Sequence, residues 1–282
     1  YRWYEAPIET QALLIEAFRE VANDEASVDA MKIWLLKHKQ TNSWETTKAT
    51  ADACYALLRG GTDWLSREPK VVLQLDDRTL RSEEQQESGT GYFKVRYEGG
   101  EVKSNDGNIK LTVSDNGKNT SWGAVYWQYF EDLDKISSAK TPLAIKKQLF
   151  VERNTDRGPE LQPIGSGSTL KVGDKVINRI EIIVDRDMEY VHLKDMRASA
   201  FEPVNVISAY KWQGGLGYYE STRDVSTNFF FDHLRKGKYV FEYPVFVQQA
   251  GDFSNGIATI QCMYAPEFSS HSEGIRVKVA ER

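Results

Sequence analysis

Cysteine is scarce in this chain, and neither cysteine belongs to a recognisable motif. The 282 residues contain two cysteines, Cys54 and Cys262, and four scattered histidines. Cys54 falls in a helical pattern and Cys262 in a strand pattern, so we do not expect a disulfide between them. No Cys-X-X-Cys or His-X-X-X-His spacing marks a zinc site. We therefore predict no metal and no cofactor.

Positive charge and long apolar runs are also limited. Lys and Arg total 36 against 41 Asp and Glu, which gives a formal net charge of −5. No basic block is present to neutralise phosphates, which argues against nucleic acid as a partner. No apolar run approaches the ~20 residues that a spanning helix needs, so we predict that this chain does not cross a membrane.

The length exceeds the usual ~100–200 residues of one domain, so two or three domains are expected. The chain begins at Tyr1 without a signal-peptide pattern, and we interpret it as a fragment of a longer protein. Seven Trp and 14 Tyr are a generous supply of aromatic residues. Such side chains belong either to β-sandwich cores or to exposed binding loops.

Residues 1 to about 62 have a helical pattern. Ile8, Ala12 and Ile15 lie on one helical face. Two further apolar helices follow, and Ser43 is the candidate N-cap of the third. Two interpretations are open: these helices end a larger helical domain, or they form a small bundle that rests on the β part.

From about Pro69 the apolar pattern changes to the two-residue period of strands. Gly, Asn and Asp turn signals accompany the strand-like runs 71–75, 91–97, 108–113 and 123–130. This spacing predicts a small antiparallel β domain. We interpret residues 137–141 as a linker to the next domain.

The stretch from Asp224 to Glu267 is the most aromatic part of the chain. Residues 239–247 are rich in aromatic and β-branched side chains, which suit a buried strand. Turn residues follow, and residues 257–264 then alternate with period 2. The pattern predicts a hairpin that a second sheet must cover. We expect residues from about 144 to 282 to form one sandwich of about seven strands.

Several short runs together resemble a known family. They are Lys146–Val151, Leu170–Asp174, Val191–Ala198, Asp224 with Phe229–Phe231, Lys236–Tyr239, Glu242–Tyr243, Gly251–Phe253 and Met263–Glu267. In combination they resemble the C-terminal part of bacterial α2-macroglobulin-family proteins, and the resemblance extends over the whole chain. It implies that residues 1–66 resemble the end of the α/α-toroid thioester-type domain, that residues 67–141 form a CUB-like antiparallel β domain, and that residues 142–282 form a macroglobulin-like β-sandwich.

The resemblance also implies a function. Members of this family are broad-spectrum protease traps: cleavage of a bait region triggers a rearrangement, and an internal thioester can then acylate the attacker. The thioester needs a Cys-X-Glu-Gln motif, whereas Tyr-Ala-Leu follows Cys54 and Met-Tyr-Ala follows Cys262. We therefore expect a non-enzymatic C-terminal part of a periplasmic, cell-surface or secreted endopeptidase inhibitor. Its expected partners are target proteases, through the full-length protein, and upstream domains of the same chain.

We predict no catalytic residue. His192 near Asp195 suggests an acid–base pair, but no Ser or Cys nucleophile accompanies it at a recognisable spacing. Both cysteines are interpreted as small buried apolar side chains.

One segment is a candidate docking loop. Residues 212–219 combine Trp212, Leu216, Tyr218 and Tyr219 with glycines that bend the backbone. The loop would dock a neighbouring domain, a protein partner or a sugar. The alternative is a strand–turn–strand whose aromatic residues fold back onto the sandwich. The corresponding alternative function is a cell-surface adhesion or carbohydrate-binding module. The predicted class is thus mainly β and multidomain, with a short N-terminal α-helical segment.

Overall fold

A computed structural model describes residues 5–59, 70–85, 87, 92–114, 123–165 and 167–281. The chain divides into two compact units, one of residues 1–37 with 44–124 and the other of residues 38–43 with 125–282. Helices and a small sheet characterise the first unit, and strands dominate the second. The predicted class, mainly β with short N-terminal helices, is confirmed.

The N-terminal part of the chain is helical. Helix α1 spans Pro7–Ala17 and runs into a π-helical turn at Phe18–Ala22, helix α2 spans Glu25–Thr41, and helix α3 spans Thr47–Leu58. A cluster of buried apolar side chains lies between them: Ile8, Ala12, Ile15, Val28, Leu35, Trp44, Ala49, Ala53 and Ala56. The predicted three-helix pattern is therefore confirmed.

The N-cap of α3 differs from the prediction. Thr46 has an extended backbone, and its hydroxyl oxygen accepts a hydrogen bond from the Ala49 N–H at 3.0 Å. A cap needs an oxygen side chain at the residue where the helical backbone begins. The prediction of Ser43 is wrong because that residue lies three positions too early.

The small sheet is less regular than predicted. Strands β1 (Lys70–Leu75), β2 (Arg78–Arg81) and β3 (Ile109–Ser114) pair in the antiparallel order β2-β1-β3, and a short helix α4 spans Ser82–Gln85. The predicted strands at 91–97 and 123–130 are wrong for their described residues, which contain no strand. Trp127 and Phe130 are exposed there. A two-residue period becomes a strand only when another strand supplies hydrogen bonds, and no described strand pairs with these segments.

The second unit contains fourteen strands among its described residues, against the seven expected. They are β4 Leu143–Thr155, β5 Gly158–Pro163, β6 Thr169–Lys171, β7 Lys175–Val184, β8 Met188–Met196, β9 Phe201–Pro203, β10 Ala209–Gln213, β11 Leu216–Thr222, β12 Ser226–Leu234, β13 Gly237–Val247, β14 Gly251–Ser254, β15 Ala258–Cys262, β16 Ala265–His271 and β17 Arg276–Ala280. The sheet orders are β10-β11-β12-β8-β15-β16, β5-β4-β7-β13-β9 and β14-β17-β6.

The predicted hairpin in the aromatic stretch is wrong. Strand β13 lies in the five-stranded sheet and β15 in the six-stranded sheet, with β14 between them in a third sheet. The two runs are equally apolar because each buries one face in the same core, and Phe241 and Ile260 are both 1% exposed. Apolar alternation shows which face of a strand is buried, but it does not identify the neighbouring strand.

The two cysteines have different environments. Cys262 is buried in the sandwich core, as predicted. Cys54 is exposed, so the prediction that it is buried is wrong. Its neighbour Ala53 is fully buried, and a step of one residue around a helix turns the next side chain toward solvent. Both cysteines are free.

The segment before β4 contacts the sandwich. Ala139 pairs with His271 in an isolated β-bridge, and the Thr141 N–H donates to the Ser270 hydroxyl at 3.0 Å. Ala139 and Thr141 are therefore hydrogen-bonded to β16, and the interpretation of residues 137–141 as a linker stays a prediction. Elsewhere in the sandwich, Gly256 has φ +70, and a Cβ on it would lie 2.6 Å from the Met196 Cβ.

Candidate functional site

The β10–β11 hairpin forms one edge of the six-stranded sheet. Gly214 and Gly215 make its turn with φ of +59 and +77, a conformation in which glycine avoids steric strain. Trp212 pairs with Gly217 across the hairpin, and its indole ring covers that glycine. Trp212 as a whole remains 82% exposed. The glycine leaves space for a large aromatic side chain to lie close to the backbone of the neighbouring strand.

The four residues of the predicted docking loop divide between two faces. Leu216 and Tyr218 are 3% and 4% exposed and belong to the core, whereas Trp212 and the half-buried Tyr219 face outward. This division follows from the alternation of side chains along a strand. The outward-facing part of the predicted loop is therefore Trp212 and Tyr219, and their role in docking stays a prediction.

Aromatic rings continue across the outer face of the same sheet. Tyr210 is opposite Tyr219, Tyr219 is opposite Phe230, and Phe230 is opposite His192. The two tyrosine rings are 5.1 Å apart in an edge arrangement, and the Phe230 and His192 rings stack at 4.7 Å. His192 faces outward and its Nε2 lies 3.0 Å from the Asn228 Oδ1. The row is a half-exposed aromatic surface with hydrogen-bonding groups beside it.

The acid–base pair considered from the sequence does not form. Asp195 is fully buried on the inner side of β8, three residues from the outward-facing His192. The Lys147 Nζ lies 2.5 Å from the Asp195 Oδ1 and also donates to the Met196 carbonyl at 2.7 Å. The Tyr243 hydroxyl donates to the second oxygen, Asp195 Oδ2. These three side chains form a polar network that links the two large sheets inside the core.

Sequence reasoning missed this network, although a signal was present. Lys147 occupies an inward position in the alternation of Ile145, Leu149 and Val151 along β4. A lysine at such a position needs a buried acidic partner. The sequence does not identify Asp195 as that partner, because the two residues meet only when the sheets pack face to face.

A cavity of about 250 Å³ opens between the β10–β11 hairpin and β13. Its lining includes Asn205, Lys211, Gln213, Tyr218, Glu220 and Glu242. A smaller space of about 10 Å³ adjoins it and shares Asn205, Glu220, Tyr243 and Pro244 as lining residues. The smaller space is close to the lower limit for one buried water.

Ion pairs organise the wall of this cavity. The Lys211 Nζ lies 2.6 Å from the Glu220 Oε1 and the Arg179 Nε lies 2.5 Å from the Glu242 Oε1. The Gln213 Oε1 accepts a hydrogen bond from the Glu242 main-chain N–H at 2.7 Å. That hydrogen bond holds the Gln213 amide at the mouth of the cavity. Each carboxylate of the wall therefore already has a cationic partner.

Two phenol groups line the cavity. Burial, with a smaller contribution from Glu220, raises the pKa of Tyr218 to about 12. Burial also raises the pKa of Tyr243 well above its usual value, and the Asp195 carboxylate adds to this effect. Both phenols therefore keep their protons at neutral pH. Such groups donate hydrogen bonds and do not act as nucleophiles.

Comparison with known proteins shows which domain family the sandwich resembles. Residues 143–267 match a family model described as the Bacterial Alpha-2-macroglobulin MG10 domain. A curated relative, the Alpha-2-macroglobulin homolog of Nostoc sp., is 25% identical over an alignment of 305 residues that covers 99% of this chain. Residues 143–267 are thus similar to a domain of the bacterial alpha-2-macroglobulin family, and the curated relative extends the similarity over the rest of the chain. The chain spans 15% of the length of this relative.

Solved alpha-2-macroglobulins also match. The Salmonella protein reacted with methylamine is 15% identical, with a TM-score of 0.41, over 97% of this chain and 17% of that one. The Escherichia coli protein activated by porcine elastase is 12% identical, with a TM-score of 0.46, over 96% and 23%. Both TM-scores lie below 0.5, so the similarity to the bacterial alpha-2-macroglobulins rests on the two sequence matches.

Two further features of this chain concern metals and membranes. In the described ranges, no group of three or more His, Cys, Asp or Glu side chains is placed to hold a metal ion. None of the helices there combines the length and the apolar character that a membrane crossing requires. Among the described residues of the sandwich we consider two candidate sites, the cavity beside Glu220 and the outer aromatic row.

Proposed function

We propose that this chain is the non-enzymatic C-terminal part of an α2-macroglobulin-like endopeptidase inhibitor, a protease trap of the bacterial envelope. The observation that carries the proposal is the MG10 match over residues 143–267. The full-length protein would act in the periplasm or at the cell surface, or after secretion. Its partners would be target proteases, and this chain would contribute interdomain docking and rearrangement.

The sandwich is suited to move as one body in such a rearrangement. The inner faces of its strands form one continuous buried cluster. Lys147, Asp195 and Tyr243 connect the two large sheets inside that cluster. Sliding of one sheet over the other would separate a buried ion pair, which is strongly unfavourable. We therefore expect movement between domains and no deformation within this one.

The helices of the first unit suit docking to upstream domains. Leu13, Val21 and Leu58 are 66%, 83% and 67% exposed. Exposed apolar side chains of this size on helices are suited to cover by another part of a larger helical domain. We propose that residues 1–66 complete such a domain, that residues 67–141 form a CUB-like domain, and that residues 142–282 form the macroglobulin-like domain.

The proposal is tested with the full-length protein and a variant that lacks residues 143–281. Each is incubated with trypsin, and the protease is then assayed on a large protein substrate and on a short peptide. We expect the full-length protein to suppress cleavage of the large substrate only, since a trap leaves small molecules access to the protease. The deletion variant should lose this selectivity. Equal cleavage of both substrates with the full-length protein would refute the trap.

A further inference from the structure

The cavity beside the β10–β11 hairpin contains an unsatisfied buried carboxylate oxygen. Glu220 is 3% exposed, and its Oε1 lies 2.6 Å from the Lys211 Nζ. Among the described residues, its Oε2 has no hydrogen-bond partner. A buried oxygen without a donor carries a desolvation penalty of about 1–3 kcal/mol, more for a charged group. A molecule that brings a donor to this position would remove the penalty.

We propose that this cavity binds one ring of a neutral saccharide. The charges of the wall indicate neutrality, because Lys211 pairs with Glu220 and Arg179 pairs with Glu242. An added cation would therefore lack an unpaired carboxylate to neutralise. What Glu220 lacks is a hydrogen-bond donor, and a water that accepts from a ligand hydroxyl supplies one without adding charge.

The smaller space connects the ligand to Glu220. It has room for about one water molecule and is lined by Glu220, Thr222 and Thr227. Since the Glu220 Oε2 is sealed from bulk solvent, we expect a water there to donate to it and to accept from a sugar hydroxyl in the larger cavity. A water-mediated contact of this kind is nearly as favourable in enthalpy as a direct hydrogen bond.

The mouth of the cavity has the side chains that recognise hydroxyl groups. Asn205 and Gln213 carry amides, which both donate and accept hydrogen bonds. The volume of about 250 Å³ is below the ~300–1,000 Å³ of drug-sized pockets and suits a single ring.

The test uses the full 282-residue chain and three soluble tetrasaccharides, chitotetraose, cellotetraose and maltotetraose, in calorimetric and NMR titrations. We expect at least one to bind with a Kd on the order of 1 mM or tighter. Asn205→Ala combined with Gln213→Ala should weaken binding at least about tenfold. Tyr264→Ala is the matched control, because Tyr264 is exposed but does not line the cavity.

Glu220→Gln examines the buried carboxylate itself. It keeps the size of the side chain, so weaker binding by a folded variant supports the proposed water contact. If that variant does not fold, the double variant at the mouth still decides the matter. Absence of binding by all three saccharides at 10 mM would overturn the proposal. So would unchanged binding by the double variant, or displacement of the sugar by lysine amide. None of these readouts depends on protease trapping.

Discussion

The buried ion pair of the sandwich allows a quantitative test of how its two sheets are held together. Lys147 and Asp195 both have side chains that are 0% exposed, and their charged atoms lie 2.5 Å apart. Lys147→Met keeps the approximate length of the side chain and removes its charge. The Asp195 carboxylate would then keep the Tyr243 hydroxyl but lose its cation.

The expected loss of stability follows from that geometry. Removing one partner of a buried ion pair typically costs about 3–5 kcal/mol, because it leaves an uncompensated buried charge. A domain of this kind has a total unfolding free energy of about 5–15 kcal/mol. Lys147→Met should therefore remove a large share of the stability of the sandwich and accelerate hydrogen exchange throughout β4 and β8.

The assay is urea unfolding followed by circular dichroism and tryptophan fluorescence, with residue-resolved hydrogen exchange to separate the two units. Lys146→Met is the matched control, since the neighbouring Lys146 is exposed on the other face of β4. We expect it to change stability by less than about 0.5 kcal/mol. A loss below ~1 kcal/mol for Lys147→Met would contradict the reasoning that the pair is desolvated and essential.

Three other predictions concern single positions. Tyr218 has a pKa of about 12 in the folded chain against ~10 in the unfolded chain. The free energy of unfolding should therefore fall as the pH rises through this window. Tyr218→Phe should reduce that fall, measured by unfolding curves at alkaline pH. Gly256→Ala should destabilise the sandwich more than Gly215→Ala in thermal unfolding. Both glycines have positive φ, but of the two only Gly256 has a neighbour within 4 Å of an added Cβ. Equal losses of stability would contradict a steric effect. Thr46→Ala should cost α3 about 1 kcal/mol in helix stability measured by circular dichroism, and Ser43→Ala should cost much less.

Local patterns in this chain predicted individual elements well. The three- and four-residue spacing around Ile8, Ala12 and Ile15 predicted α1, whose three buried residues are these. The aromatic and β-branched run at 239–247 predicted β13, whose inward residues include Phe241 and Val245. Each prediction succeeded because the periodicity of burial depends on the geometry of one element alone.

The pairing of strands was beyond the reach of those patterns. Strands β13 and β15 are close in sequence and similarly apolar, yet they lie in different sheets. Apolar alternation is equally satisfied by a hairpin partner and by a strand across the core, because both bury the same face. The strand patterns at 92–97 and 123–130 failed for a related reason. They specify a strand that still needs a hydrogen-bonding partner, and none lies among the described residues.

The candidate site shows the same division between local and long-range information. The pattern of residues 212–219 indicated a docking loop, with a strand–turn–strand as the alternative, and the backbone is the strand–turn–strand. Alternation along β11 explains why Tyr218 faces inward while Tyr219 faces outward. The environment of Glu220 depends on Lys211 across the hairpin and on the space beside β13. No short segment of the sequence contains Glu220, Lys211 and β13 together. A buried glutamate in a strand can be recognised from alternation, but its unsatisfied oxygen becomes visible only when the sheets are packed.

The buried network and the cavity are adjacent, so ligand binding and the stability of the sandwich are coupled. Tyr243 lines the cavity and also donates to Asp195, so one side chain belongs to both. A ligand that fixes the cavity wall would therefore oppose separation of the two sheets, because Tyr243 would have to leave both sets of contacts at once. By linkage, a ligand at 100 times its Kd adds about 2.7 kcal/mol to the unfolding free energy. The saccharide that binds should thus raise the unfolding midpoint of the unmodified chain and have less effect when Asn205 and Gln213 are alanine.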